Sequence, residues 1–333
     1  MQISGSVREQ YEAFLGQCGD SPTFVDWTRG VLGDPEVQAW ISALREAKQQ
    51  PNLVYAAARW HGVAAPGPFG GLRAALLDDD GSIRDTILSR ATQTNEVGRL
   101  ATLQPVFASV ARQHRGAPLA LVEAGASAGL CLYPDRWGYR WSTERGPVTL
   151  GEEPALRCEV SGPAPLGHGP LQVAWRGGVD LNPLDVTDAD TVAWLRTLVW
   201  PEHEDRRALL ARAVEVARAE PPHLVRGDLL ERLPSVVAEA AAHGPVVVFH
   251  SAVIAYLADD DRERFHDLMA GLVADGACHW VSNEGARVLP RVTATVPGAP
   301  GEVERAPLPF VLGLDGRAVA WTHGHGRAMA WLG

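Results

Sequence analysis

The stretch Leu119-Ala-Leu-Val-Glu-Ala-Gly-Ala-Ser-Ala-Gly-Leu130 constrains this chain more than any other. Four apolar residues, Leu119 to Val122, read as a buried strand that Glu123 closes. Gly125, Ser127 and Gly129 then alternate before an apolar run toward Tyr133. The order is strand, tight small-residue turn, helix start. Such a turn lets a ligand lie against bare backbone. The N–H groups at a helix start can hold an anionic group. The competing reading is a turn of small residues packed for its own sake.

From Leu119 onward, strands and helices alternate. Gln172–Trp175 leads into Gly178-Val-Asp180-Leu-Asn-Pro183, and His223–Val225 into Gly227-Asp228. Pro245–Phe249 ends in His250-Ser251, and Cys278–Val281 gives a fifth strand. Helical patterns cover 188–199, 202–219, 229–242 and 261–274. Leu308–Leu314 and Arg317–Trp321 flank Asp315-Gly316, a hairpin signal. Alternation of this kind predicts an α/β fold: a mostly parallel sheet covered on both faces, closed by an antiparallel hairpin. Ligands bind such sheets beyond the carboxyl ends of the strands. Glu123, Asp180, Asp228 and His250 all fall at those ends.

Residues 1 to about 115 read as an N-terminal helical cap region. Helix spacing runs over Val7–Leu15, Pro35–Ala47 and Ile83–His114, with Asp34 as an N-cap before Pro35. Residues 116–333 form the second expected domain. An insertion at about 131–170, carrying Tyr133, Trp137, Tyr139 and Trp141, reads as a loop or small hairpin. It either caps a pocket or embellishes the surface.

Composition narrows the function classes. The chain has 333 residues, 46% hydrophobic, with a net charge of -10, so bulk attraction to nucleic acid or an anionic membrane is not indicated. The four cysteines are far apart, with no CxxC pair. Together with the absence of a signal-type apolar segment in 1–20, this sets the expectation of a cytoplasmic protein. No run is long enough to span a membrane. His323-Gly-His325-Gly offers too few ligands for a metal, so no metal is expected. The oligomeric state and any protein partner stay open.

At Glu123-Ala-Gly125-Ala-Ser127-Ala-Gly129 the chain resembles the first motif of class I S-adenosylmethionine-dependent methyltransferases, with serine where the middle glycine is commonest. Gly178-Val-Asp180-Leu-Asn-Pro183 resembles the second-strand end, and Val225-Arg-Gly227-Asp228 the third-strand motif. The final hairpin resembles the sixth and seventh strands of that fold. The resemblance covers about 116–333 and implies a seven-stranded Rossmann-like sheet. It also implies S-adenosylmethionine bound by Glu123, Gly125, Ser127, Gly129, Asp180 and Asp228. Asp180 would take the ribose hydroxyls and Asp228 would lie near the adenine. About fifty residues separate Gly129 from Asp180, so Glu144 is a rival for the ribose position. More narrowly, Gln93-Thr-Asn95-Glu96, Trp200-Pro201-Glu202 and His250-Ser251-Ala252 resemble an actinobacterial family known only as a domain of unknown function.

Candidate chemistry follows from residue type. His250 titrates near neutrality and is a candidate general base, with Glu96 as a second proton-handling group. Arg90, Gln93, Asn95, Arg99 and Ser251 are candidate substrate contacts. On a continuous helix, Asn95 and Glu96 would share a face with Arg99. Each acid also has a structural reading, as a cap or a packed group. The expected function is a small-molecule methyltransferase. The alternative keeps the fold without methyl transfer and catalyses cyclisation or elimination with an anionic leaving group, as in natural-product biosynthesis.

Overall fold

The computed structural model describes residues 5–93, 95–167, 169–297 and 308–333. Two units partition the chain. One holds residues 1–94 and 187–211, the other 95–186 and 212–333. This boundary differs from the expected break near 115, because the helix at 100–113 belongs with the sheet and the segment at 187–211 belongs with the helical unit.

The helical unit contains α1 (Val7–Leu15), α2 (Pro22–Gly33), α3 (Pro35–Ser42), α4 (Pro51–Trp60), α5 (Phe69–Leu77), α6 (Ser82–Ser89) and α8 (Ala189–Leu198). Its helix starts follow from local chemistry. Asp34 accepts from the N–H groups of Glu36 and Val37 at 3.0 and 3.1 Å, with Pro35 at the first position. Glu202 serves the start of α2, accepting from Ser21 Oγ at 2.6 Å and Thr23 N–H at 2.9 Å. Phe14, Phe24, Tyr55 and Trp200 pack ring against ring in its core.

The second unit carries one sheet of 11 strands, not the seven expected. The strands are β1 (Leu119–Ala124), β2 (Gly138–Thr143), β3 (Gly146–Leu150), β4 (Ala155–Ser161), β5 (Val173–Asp180) and β6 (His223–Arg226), the last preceded in the chain by α9 (Glu204–Ala219). They continue with β7 (Val246–Ser251), β8 (His279–Gly285), β9 (Phe310–Leu314), β10 (Arg317–Thr322) and β11 (Ala328–Trp331). The order is β3-β2-β4-β11-β10-β9-β8-β7-β1-β5-β6. Strands β6, β5, β1, β7 and β8 are mutually parallel. After β1 the chain builds β2, β3 and β4 at the far edge; counting only the parallel strands, β5 and β6 then add on one side of β1 and β7 and β8 on the other, so their winding reverses between β1 and β7. Asp315 and Gly316 turn β9 into β10 with φ of 49° and 79°, as the hairpin signal predicts.

The small hairpin expected in the insertion is present as β2 and β3, but it belongs to the sheet. β2, β3 and β4 extend the sheet, and β4 joins it by parallel pairing with β11. Trp141 of β2 explains part of its attachment. Helix α7 (Leu100–Gln113) contains Pro105, which has no N–H for the Ala101 carbonyl. The Trp141 indole N–H takes that carbonyl instead, at 2.8 Å.

Side-chain alternation assigns each strand residue to a face. Ala120, Val122 and Ala124 of β1 join Val246 and Val248 of β7 in a core with α10 (Leu229–Ala240) and α11 (Asp259–Ala274). The intervening residues face α7: Phe249 meets Phe107 edge to face, centroids 5.2 Å apart. A Trp141→Phe variant keeps most of the ring but strips the Ala101 carbonyl of its donor. It should lower stability by about 1–3 kcal/mol, read by urea unfolding.

Candidate functional site

At the carboxyl ends of the parallel strands, Glu123 lies opposite Gly178 of β5 and Phe249 of β7. It therefore faces α7. So do Asp180, Ser251 and Asn283, which keep the same parity along β5, β7 and β8. The turn after β1 is held from two sides. Asp180 accepts the Ser127 N–H at 2.8 Å through one oxygen and the Asn182 N–H at 2.7 Å through the other. Asn95 donates to Ser127 Oγ at 2.5 Å and accepts from the Leu130 N–H at 3.2 Å. Ser127 itself sits at φ 52°, an uncommon conformation for a non-glycine residue. Its side chain helps hold the turn there.

Residues 90–93, 95 and 96 are not helical, and only a single 3-10 turn, Val97–Arg99, precedes α7. The pattern Ile83–His114 resolves into α6 and α7, with Arg90 extended at φ -110° and ψ 167°. Thr, Gln and Asn compete for the backbone and weaken helix here. Asn95, Glu96 and Arg99 do gather in one region, but through tertiary bonds, not through a shared helix face. Arg99 donates to the Ser251 carbonyl at 3.0 Å and the Gly324 carbonyl at 2.7 Å. Glu96 accepts the Gly98 N–H at 3.3 Å, and its Oε2 lies 3.3 Å from His325 Nδ1. Ser251 Oγ accepts from Asn283 Nδ2 at 3.0 Å, and Asn283 Oδ1 from Thr322 at 2.6 Å.

His250 lies on the other face. It has the parity of Val248, is fully buried and meets Phe265 of α11 edge to face at 5.2 Å. Its Nδ1 is 2.7 Å from Glu284 Oε1, and its Nε2 accepts from the Trp280 indole at 3.0 Å. Both ring nitrogens are committed within the core. The expectation of a general base at His250 is therefore replaced by a scaffolding role. Glu284 Oε1 also accepts the N–H groups of Val253 and Ile254 at 3.0 and 3.2 Å. That fixes the turn after β7, where Ala252 adopts φ 58°.

The same turn closes the space above the glycine loop. Gly125 has φ 71°, and a Cβ there would come within 2.4 Å of Val253 Cγ1. The bare backbone expected to face a ligand at Gly125 is covered by Val253. Gly129, at φ 69°, is packed against Pro222 and Leu224.

The remaining candidates are dispersed. Asp228 caps α10, accepting the Leu230 N–H at 2.7 Å. Glu144, the rival to Asp180, is exposed in the turn between β2 and β3. Arg90 and Gln93 belong to the helical unit. There the Arg90 guanidinium lies 4.5 Å from the Trp60 ring and 5.0 Å from the Trp194 ring, and pairs with Asp190 at 2.8 Å. Gln93 is half-buried.

Glu123 is the chemically unusual member of the cluster. It is 8% exposed, and among the described residues its Oε2 has no hydrogen-bond partner. Burial pushes its pKa well above the ordinary carboxylate range, Asp180 adds to the rise, and Arg99 opposes it. Burial, with Glu123 beside it, likewise raises the Cys131 thiol, which is no reactive thiolate. Asn283 and Glu284 lie beyond the apolar run Cys278–Val281 that marks the fifth strand in the sequence, and only the continued alternation of β8 signals their place. In the sequence His325 suggests only a metal ligand, because its carboxylate neighbour, Glu96, comes from a distant segment.

The chain belongs to a family described as an uncharacterized protein conserved in bacteria (DUF2332), whose model matches residues 8–331. Among curated proteins, none matches it. No described helix is long and apolar enough to cross a membrane.

Because burial raises the Glu123 pKa in the fold above its unfolded value, its stabilising share is complete below the ordinary carboxylate pKa near 4.5. That share is lost as pH rises toward the folded value. Glu123→Gln should match the parent in stability near pH 4 and exceed it at pH 8. Denaturant unfolding at the two pH values reads this, and a difference independent of pH would refute it.

Proposed function

We propose that this chain is an enzyme acting on a small molecule at the carboxyl ends of β1, β5 and β7. In this reading the sheet is Rossmann-like and methyltransferase-type, S-adenosylmethionine is the cofactor and the reaction is methyl transfer. The observation that carries the reading is Glu123: a buried carboxyl group with an unpartnered oxygen, at the point where the winding of the sheet reverses. Strand-end crevices at such reversals are where open α/β sheets bind ligands, and perturbed carboxyl groups concentrate at working sites. Counted in chain order, the five parallel strands run 3-2-1-4-5, which supports the Rossmann-like assignment. All four cysteines are free thiols, which suits the proposed cytoplasmic setting.

The acids fit the cofactor better than the glycine turn does. Asp180 is half-buried at the strand end, where its carboxylate holds the Ser127 and Asn182 N–H groups. It would take the ribose hydroxyls, while Glu123 would meet the amino group and Asp228 the adenine. When bound, the cofactor supplies an electrophilic methyl group. The protein's own part is alignment and exclusion of water.

Val253 over Gly125 favours a second reading, a cofactor-independent cyclisation or elimination. In that reaction the leaving anion would take its proton from neutral Glu123.

Thermal unfolding with S-adenosylmethionine and with its demethylated product separates the two. At a hundredfold excess over Kd a ligand adds about 2.7 kcal/mol, a shift of roughly several degrees. Both ligands should raise the midpoint, and Asp180→Ala should remove most of the rise. Flat curves for both at millimolar concentration would discard the cofactor and leave the second reading.

A further inference from the structure

His114 and His279 share no spacing motif, being 165 positions apart, yet the fold brings their rings together. His114 caps the C-terminus of α7 and His279 opens β8. The pair therefore stands at the amino end of β8, at the opposite end of that strand from Asn283, and is separate from the strand-end cluster. The two Nε2 atoms are 3.0 Å apart, with ring centroids at 5.2 Å and ring planes at 76°. His114 is exposed and His279 partly exposed, so solvent reaches the space between the rings.

A third segment orients the inner ring. Asp315, in the β9–β10 turn, accepts from His279 Nδ1 through Oδ2 at 2.8 Å. Its Oδ1 accepts the Trp280 N–H at 2.7 Å, which fixes the carboxylate in place. A carboxylate only accepts, so it keeps the proton of the neutral His279 ring on Nδ1 and turns the Nε2 lone pair toward His114. A carboxylate behind an imidazole, with the other ring nitrogen facing outward, is the outer-shell arrangement of metal-ligating histidines.

We infer that His114 and His279 bind one divalent transition-metal ion, such as Zn²⁺, through their Nε2 atoms, with Asp315 as the positioning residue behind His279. Two nitrogens on a tetrahedral zinc ion lie about 3.3 Å apart, given bonds of about 2.0–2.1 Å. The observed pair needs only a slight opening to reach that separation, and exposed His114 can swing to give it. In the metal-free pair His114 Nε2–H donates to His279 Nε2. To ligate, the His114 proton moves to Nδ1, so both rings coordinate as neutral imidazoles. Among the described residues no group of three or more such ligands gathers, so water fills the other positions of the ion. The bound ion ties the end of α7 to the start of β8 and, through Asp315, to the β9–β10 turn, just before the chain enters β1.

Calorimetric titration of the full chain with Zn²⁺ alone tests this. One ion should bind per chain, and His114→Gln, a change at an exposed position, should abolish that binding. Asp315→Asn keeps a residue that tolerates the positive φ of the turn. It should weaken Zn²⁺ binding by about 10- to 100-fold, the usual cost of losing an outer-shell partner. A second measurement needs no variant: Zn²⁺ should protect His114 and His279 of the parent from acylation by diethyl pyrocarbonate, read by peptide mass spectrometry. Parent-like binding in His114→Gln would overturn the inference, as would equal affinity in Asp315→Asn. So would the absence of binding at millimolar Zn²⁺, or acylation of both rings at an unchanged rate with Zn²⁺ present.

Discussion

Successive side chains of a strand point to opposite faces of the sheet. At the carboxyl ends of β1, β5, β7 and β8 this alternation separates two polar networks. On the α7 face lie Glu123, Asp180, Ser251 and Asn283, joined to Asn95, Glu96, Arg99 and His325. On the α11 face lie His250, Trp280 and Glu284. Two residues adjacent in sequence, His250 and Ser251, thus serve different networks. A one-residue shift in register would exchange them.

The two networks meet at the turn after β7. One oxygen of Glu284 collects His250 and two main-chain N–H groups, which sets where Val253 stands. Val253 in turn demands a glycine at position 125. A scaffold on one face therefore fixes the shape of the turn on the other. Glu123 and Glu284 are both buried, yet their surroundings differ. Glu284 has three donors on one oxygen, whereas Glu123 has burial and a neighbouring carboxylate raising its pKa.

Much of the fold was legible in local pattern. Helix α1 falls over the predicted Val7–Leu15, Asp34 caps α3, and β5, β7 and the Asp315-Gly316 hairpin fall where apolar runs and turn residues put them. The alternation in Val246-Val-Val-Phe-His-Ser puts His250 and Ser251 on opposite faces, and the β1–β7 register then puts Ser251 with Glu123. The break after Ser89 is written in Thr92, Gln93 and Asn95, whose side chains compete for the backbone and weaken helix. β2, β3 and β4 were hidden in the insertion because their membership in the sheet depends on β11, more than 160 residues away.

By itself, the sequence determined the alternation of strand and helix, the chain positions of the strand-end acids and the places where glycine must bend the backbone. These are short-range matters of periodicity, capping and turn chemistry, and each is complete within a few neighbours. The tertiary structure decided which of those polar groups meet. Asn95 with Ser127, Glu96 with His325, Arg99 with Gly324 and His250 with Glu284 are separated by 32 to 229 positions. The physical reason is that a side chain's hydrogen-bond partner and its burial are fixed by sheet order and register, which bring distant segments to one edge.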